Sequence, residues 1–341
     1  MNESLLQTAL PLVAAPMAGG TTTVALVESA ARTGALGMVA GGYLSADALA
    51  SQIGEVRGRG LEHFGVNLFV PDESAVDSEG FAQFAREISD EAAAYGLELD
   101  PHPRSDDDGW DEKVDLLCKD PVPLVSFTFG LAPTADIVRL QRAGSAVVAT
   151  VTNAAEAQAA GEAGVDALIV QGPRAGGHSG AWDPHRGIAD ARTADVVAAV
   201  GAVTQLPLIA AGGVDGPAAV QALLSAGATS VQVGTLLLRS DEAGTKDVHR
   251  EALADPHSPD TAITRAFTGR PARAIRNGFV SRHERHEITA YPAVHHLTRE
   301  LRSRAAAAGD RDRVHLWAGT GYRAARDGAV ADTLRWLASS L

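Results

Sequence analysis

Between residues 12 and 233, short apolar runs alternate with alanine-rich helical stretches about eight times, and this rhythm most constrains what the chain can fold into. Strands that alternate with helices pair in parallel, because each crossover helix must return the chain to the same end of the sheet. The runs are Leu12 to Ala15, Leu36 to Ala40, Gly65 to Phe69, Leu124 to Phe129, Val147 to Val151, Ala167 to Val170, Leu208 to Ala211 and Ser230 to Val233. Helical patterns lie between them at Thr22 to Thr33, Ala46 to Arg57, Thr134 to Ala143, Ala154 to Ala163, Thr193 to Val200 and Gly216 to Ala226. Gly34, Gly144, Gly164 and Gly227 follow such stretches and supply left-handed C-caps. The expected fold class is therefore α/β, and eight units in about 240 residues match a (β/α)8 TIM barrel. An open dinucleotide-binding sheet would carry Gly-x-Gly-x-x-Gly after its first strand, where this chain reads Ala15-Pro16-Met17-Ala18-Gly19-Gly20.

Two segments break the rhythm. A helical insertion after strand three, about residues 71–121, carries an acidic face expected to be exposed (Asp72, Glu73, Asp77, Glu79, Asp106 to Asp108). From about Asp255 the tail reads as helices, Tyr291 to Ala308 and Tyr322 to Leu341. The expected organisation is a barrel over 1–255 with a C-terminal helical extension, 256–341, packed on it. Within that tail, His315 to Gly321 is expected to return to the barrel mouth as a wall or lid.

Charge and cysteine content narrow the function classes. A net charge of −13 disfavours nucleic acid and anionic membrane as partners, without excluding a small anion held by local backbone dipoles. The single cysteine, Cys118, allows no intrachain disulfide and no thiolate metal set, so no metal is expected. Met1-Asn2-Glu3-Ser4 lacks the basic start of a signal peptide, and no apolar run approaches the ~18 residues of a membrane span, so a cytoplasmic protein is expected.

In such a barrel, chemistry sits at the C-terminal ends of the strands, and phosphate commonly binds after strands seven and eight. Here those strands end in Ala211-Gly212-Gly213 and Val233-Gly234-Thr235, two glycine turns able to aim N–H groups at an anion. Strand six runs into Gln171, then Gly176-Gly177-His178, where two residues without Cβ leave room for a flat ring beside an imidazole. Asn67 ends strand three as a second amide. Together these residues describe a slot for a phosphorylated planar cofactor, and FMN fits it.

The segments Ala15-Pro16-Met17-Ala18-Gly19, Gly65-Val66-Asn67-Leu68-Phe69, Val125 to Gly130, Ala175-Gly176-Gly177-His178, Ala211-Gly212-Gly213 and Val233-Gly234-Thr235 resemble the nitronate monooxygenases, and the likeness continues through Phe267 to Arg273. The resemblance implies non-covalent FMN and oxidation of alkyl nitronates, or of nitroalkanes, by O2 to a carbonyl compound and nitrite. It implies that Ala15, Pro16 and Met17 line the flavin, that Asn67 and Gln171 contact its ring or ribityl chain, and that Gly213, Gly234 and Thr235 hold its phosphate, with Gly176, Gly177, Ala211 and Gly212 beside them. It also implies that His178 is the active-site histidine, acting on the α-proton as a base or holding the anionic nitronate in its charged form. Where many relatives read Ser-Phe-His-Phe-Gly on strand four, this chain has Thr128, which removes an imidazole from the expected substrate side. A homodimer is expected.

Two other functions share these features. An FMN-dependent enoyl-(acyl-carrier-protein) reductase would use NAD(P)H and dock an acidic carrier, for which Arg265, Arg270, Arg273 and Arg276 form a candidate basic patch. A flavin carrier without turnover would keep the cofactor site alone. A nucleotide dehydrogenase of the inosine monophosphate type is excluded, because its nucleophilic cysteine would follow strand six and Cys118 precedes strand four.

Overall fold

Buried on both faces, the strands of a closed barrel must place one set of side chains inside and the alternate set against helices. The computed structural model describes residues 8–72 and 74–341; Glu73 and the N-terminal Met1 to Ser4 discussed above lie outside the described residues. Its strands in chain order are β1 (Leu12–Ala14), β2 (Leu36–Ala40), β3 (Phe64–Phe69), β4 (Leu124–Thr128), β5 (Ala146–Val151), β6 (Ala167–Gln171), β7 (Gly177–His178), β8 (Leu208–Ala211), β9 (Ser230–Val233), β10 (Thr261–Thr264) and β11 (Ala272–Ile275). Eight of them, β1 to β6, β8 and β9, close into one barrel. Every neighbouring pair is parallel, and β1 meets β9 with Val13 opposite Gln232.

The alternation is visible residue by residue. Val13, Leu36, Met38, Leu124, Val148, Ala167, Ile169, Ile209 and Ala211 form one cluster, the apolar filling of the barrel. Leu12, Ala14, Val66, Leu68, Val125, Phe127, Leu168 and Val170 point the other way, into the layer shared with the helices. Gly65 is glycine because Met38 fills the barrel there, and a Cβ would collide with its sulfur. Towards the C-terminal ends the inward positions turn polar, with Asn67, Thr128, Thr150, Gln171 and Gln232 all lining one cavity.

Both irregular segments build over that end. Helices Ser78–Glu87 and Ser89–Ala93 bury Phe81, Phe84 and Ile88 against Phe267, Phe279, Val294 and Leu301 of the tail. Helix Trp110–Lys119 instead packs between Ala46–Gly58 and Thr134–Ala143, the place in the ring of the helix that joins β3 to β4. The acidic face is only partly exposed. Asp77, Glu79, Asp106 and Asp107 face solvent, but Asp72 pairs with Arg270 and Asp108 lies 2.8 Å from Lys113 Nζ, and each supplies a counter-charge to one of these two buried cations.

The tail adds two strands that the helical reading lacked. β10, β11 and β7 form a small antiparallel sheet in which His178 lies opposite Ala272. Helix Ala293–Ala307 follows, and the last helix, Val330–Leu337, buries Val330, Leu334 and Leu337 in the main core against Val24–Thr33 and Pro217–Ser225. Among the described residues no helix is long and apolar enough to cross a membrane.

Candidate active site

The site begins with the turns that end the barrel strands. Ala15 to Met17, Asn67, Gln171, Gly176 to His178, Ala211 to Gly213, Gly234 and Thr235 all line a single cavity of about 620 Å3 at that end, so the residues expected at the cofactor and the reaction are brought to one place, while Arg265, Arg270, Arg273 and Arg276 are not among its lining. Gly212 and Gly213 have φ of +105° and +75°, and a Cβ on Gly212 would stand 2.8 Å from the backbone nitrogen of Ala175. Gly234 differs, since its φ is −116°. There the constraint is space, because a Cβ would meet Ala15 Cβ at 3.3 Å and Met17 Sδ at 3.5 Å. Among the described residues, the N–H groups of Gly213 and Gly234 have no protein acceptor.

The loop after β6 is held by the tail. Trp317 pairs with Ala274 of β11, and Gly319 N–H donates to Thr235 Oγ1 (2.9 Å). A Cβ on Gly176 would lie 2.5 Å from Gly319 N, so this glycine makes room for the tail, while Gly177, with φ of +73°, has open space beside it. His315, Trp317, Gly319 and Gly321 form the cavity wall expected of that segment.

The two amides behave differently. Asn67 Oδ1 accepts from Ser126 Oγ (2.9 Å) and Thr128 Oγ1 (3.0 Å), and this fixes the amide with its NH2 group unpaired towards the cavity. Thr128 thus serves to hold Asn67. Gln171 spends its amide on the loop, accepting from Gly180 N–H (2.6 Å) and donating to His178 O (3.1 Å), so it sets the position of the histidine backbone.

His178 Nε2 lies 2.9 Å from Thr268 Oγ1, and its ring is enclosed by Trp317, Phe129 and Tyr291 at centroid distances of 5.3, 5.5 and 5.8 Å. Its remaining surface faces the cavity. This constellation lies in a chain that a family model describes: the nitronate monooxygenase model matches residues 2–339. The chain belongs to the nitronate monooxygenase family. It is 34% identical over 318 residues to a probable nitronate monooxygenase of Staphylococcus aureus (strain Newman), covering 92% of this chain and 89% of the relative. Among solved structures it resembles a nitroalkane oxidase from Streptomyces ansochromogenes (40% identity, TM-score 0.93, 98% of this chain and 96% of that one). It also resembles FabK from Thermotoga maritima (25% identity, TM-score 0.75, 98% and 93%). Like its family, this nitronate monooxygenase is a flavin-dependent oxidoreductase.

The electrostatics of the cavity oppose those of the whole chain. With a net charge of −13, the protein lines this cavity with Lys246, Arg299, Arg302 and four histidines, and no Asp or Glu is among its described lining residues. Burial pushes the His178 imidazole down from 6.5 to about 3, aided by the Arg270 and Arg302 guanidinium groups. The ring is therefore held neutral in the absence of a bound anion, and an anion placed beside it would work in the opposite direction. Burial likewise takes His249 down to about 4, against a hydrogen bond to Trp317 O that works the other way.

Arg270, 1% exposed, donates to Phe129 O (3.1 Å) and Ala181 O, stacks over the Phe129 ring and pairs with Asp72. It ties tail to barrel and is no docking cation. Sequence reasoning missed Tyr43, Lys246, His249, Tyr291, His295, Arg299, Arg302 and the cavity-lining position of Thr150, and gave Thr268 no role beyond its place in a quoted segment. The signals were faint: the i, i+7 spacing of His295 and Arg302 on one helix, and the inward phase of Thr150 on β5.

Proposed function

We propose that this nitronate monooxygenase uses FMN to oxidise alkyl nitronates with O2 to a carbonyl compound and nitrite, and takes nitroalkanes where their α-proton can be removed. The observation that carries this is the pairing, in one carboxylate-free cavity, of free glycine N–H groups at the ends of β8 and β9 with a neutral, hydrogen-bonded imidazole after β6. A cavity of about 620 Å3 lies within the usual range for cofactor sites.

The residues fit the group. Gly212, Gly213, Gly234 and Thr235 would hold the phosphate of a mononucleotide, Ala15 to Met17 and Ala211 would flank the ring, and the Asn67 NH2 would donate to its polar edge, with Gly176 and Gly177 beside it. Bound FMN supplies electron acceptance and reactivity with oxygen. The chain holds the nitronate in a positive field, keeps His178 within reach of the α-carbon side and walls the site from water with Phe129, Tyr291 and Trp317. Two nitronate anions and one O2 balance two carbonyl compounds and two nitrite ions, so no external reductant is needed.

The purified protein is expected to show flavin absorption bands, to release FMN on heating and to form nitrite from a nitronate in air. Anaerobic addition of the nitronate should bleach the bound flavin, which a mere carrier would not allow. A colourless protein that does not take up FMN would refute the proposal. Gly234→Val should fold yet lose most of its FMN, since the new Cβ presses on Ala15 and Met17 where the phosphate turn must stay open; full flavin occupancy in a soluble variant would reassign the phosphate site.

One observation favours a second activity. Lys246 and Arg299 line the same cavity and form no ion pair among the described residues, which suits the phosphates of NAD(P)H. Oxidation of NADH by the flavin-loaded protein, with or without an enoyl thioester, tests it.

A further inference from the structure

Thr128 supplies no imidazole from β4, and its hydroxyl is committed to Asn67. A different element supplies one. On helix Ala293–Ala307, His295 and Arg302 stand seven residues apart and therefore on the same face, and both line the cavity. The His295 ring stacks on Tyr43 at 4.3 Å with an interplanar angle of 8°, and Tyr291 stands between it and His178, 6.4 Å from one ring and 5.8 Å from the other.

The partner of His295 decides its protonation. Arg302 is 5% exposed and has no carboxylate beside it; its nitrogens donate to His295 Nδ1 (3.3 Å), His295 O (2.9 Å), Thr298 Oγ1 (3.0 Å) and His315 Nδ1 (3.2 Å). A guanidinium has only donors, so whichever ring nitrogen faces it must present a lone pair. The proton of His295 therefore sits on Nε2. That nitrogen makes no hydrogen bond to the described protein, although the residue is only 8% exposed and lines the cavity. The nitrogen is not sealed off among the buried unpartnered atoms, so its N–H is open to the cavity and available to a ligand bound there.

We propose that the Nε2–H of His295 donates a hydrogen bond to the nitro oxygens of the substrate, in a tautomer fixed by Arg302 as its positioning residue. The proposal rests on the reading of the cavity as a nitronate site. A nitronate spreads its charge over two oxygens, and a donor that cannot pass into an imidazolium holds that charge without protonating it. Burial first, then Arg302, His178, His296 and Arg299, keeps the second proton off His295, whose pKa falls to about 2. Tyr43 and Tyr291 are the other titratable groups packed against the ring, and both are pushed upward by burial, so they stay protonated at working pH.

The test uses the flavin-loaded enzyme and three variants. His295→Phe keeps the ring and its stacking on Tyr43 but deletes the N–H, and should lower kcat/KM for a nitronate about 10²-fold with flavin content unchanged. Competitive inhibition by nitrate, a planar anion with the same N–O geometry, should weaken in parallel. His295→Gln restores a donor and should recover roughly tenfold. In ¹⁵N-histidine spectra His295 should show an unprotonated Nδ1 from pH 5 to 9, and in Arg302→Met that nitrogen should begin to titrate; where Arg302→Met does not fold, the wild-type spectrum alone decides the tautomer. A proton on Nδ1, or a His295→Phe enzyme within twofold of wild type, would overturn this proposal and leave the nitronate reading intact. A wild-type holoenzyme that leaves nitronates untouched would overturn both.

Discussion

Replacing His178 with Asn should leave FMN in place and slow flavin reduction by a neutral nitroalkane ~10²-fold or more. The flavin stays because the residue faces the cavity from β7, opposite Ala272, and is not part of the glycine turns. The size of the loss depends on the substrate form. His178 is neutral at pH 7, with its pKa taken down to about 3, so a ring lone pair is available to accept the α-proton, and the Thr268 contact at Nε2 orients it. A preformed nitronate has already given up that proton, so the variant should reduce flavin with it far better than with the nitroalkane. The same depressed pKa makes the ring a weak base, consistent with an enzyme that meets its substrate chiefly as the anion. Stopped-flow reduction with each form separates the cases. Equal losses with both forms would make His178 a binding group, and wild-type rates with both would remove it from the mechanism.

Much of this was legible in the sequence because the barrel repeats one physical rule. The eight runs read from apolar patterning coincide with the barrel strands to within about a residue, since a strand buried on both faces must be continuously apolar. The glycine turns were legible too, because Gly34, Gly144, Gly164, Gly212, Gly213 and Gly227 take positive φ that other residues avoid. Gly234 and Gly176 were found for a different reason than the one that holds. Each is crowded by a neighbour distant in sequence: Gly319 leaves no room for a Cβ on Gly176, and Ala15 makes one on Gly234 tight.

The rest was hidden because it depends on long-range packing. β7 has two residues and β10 and β11 four each, too few to show a period, and they exist as strands because β11 pairs with β10 on one side and with β7 on the other. Arg270 read as part of a basic surface patch, and only the fold shows it buried under Phe129 with Asp72 as counter-charge. Thr128 read as a loss. In the structure it is the residue that aims Asn67, and the missing imidazole arrives from helix Ala293–Ala307.

Acid should unfold the flavin-free protein unusually steeply. His178, His249, His295 and His315 all line the cavity, and burial holds each below its ordinary value: to about 3, about 4, about 2 and well below 6.5. The folded pKa is lower than the unfolded one in every case, so below about pH 6.5 the unfolded chain binds more protons than the native state. The stability these rings contribute is thus complete above pH 6.5 and is lost as pH falls towards the folded values. Between about pH 5.5 and 4.5 a ring that stays neutral in the folded state contributes a slope approaching about 1.4 kcal/mol per pH unit, and because the rings disfavour one another's charge the four contributions are coupled rather than additive. Even one or two such protons are a sizeable share of the stability of a typical domain, ~5–15 kcal/mol. Urea unfolding across this range should show the midpoint collapsing by pH 4.5, and His249→Gln should flatten the dependence by about one proton. A midpoint that is the same at pH 7 and pH 4.5 would mean that the rings charge in the folded state, and that the cavity is wetter and less positive than its lining of Lys246, Arg299 and Arg302 requires.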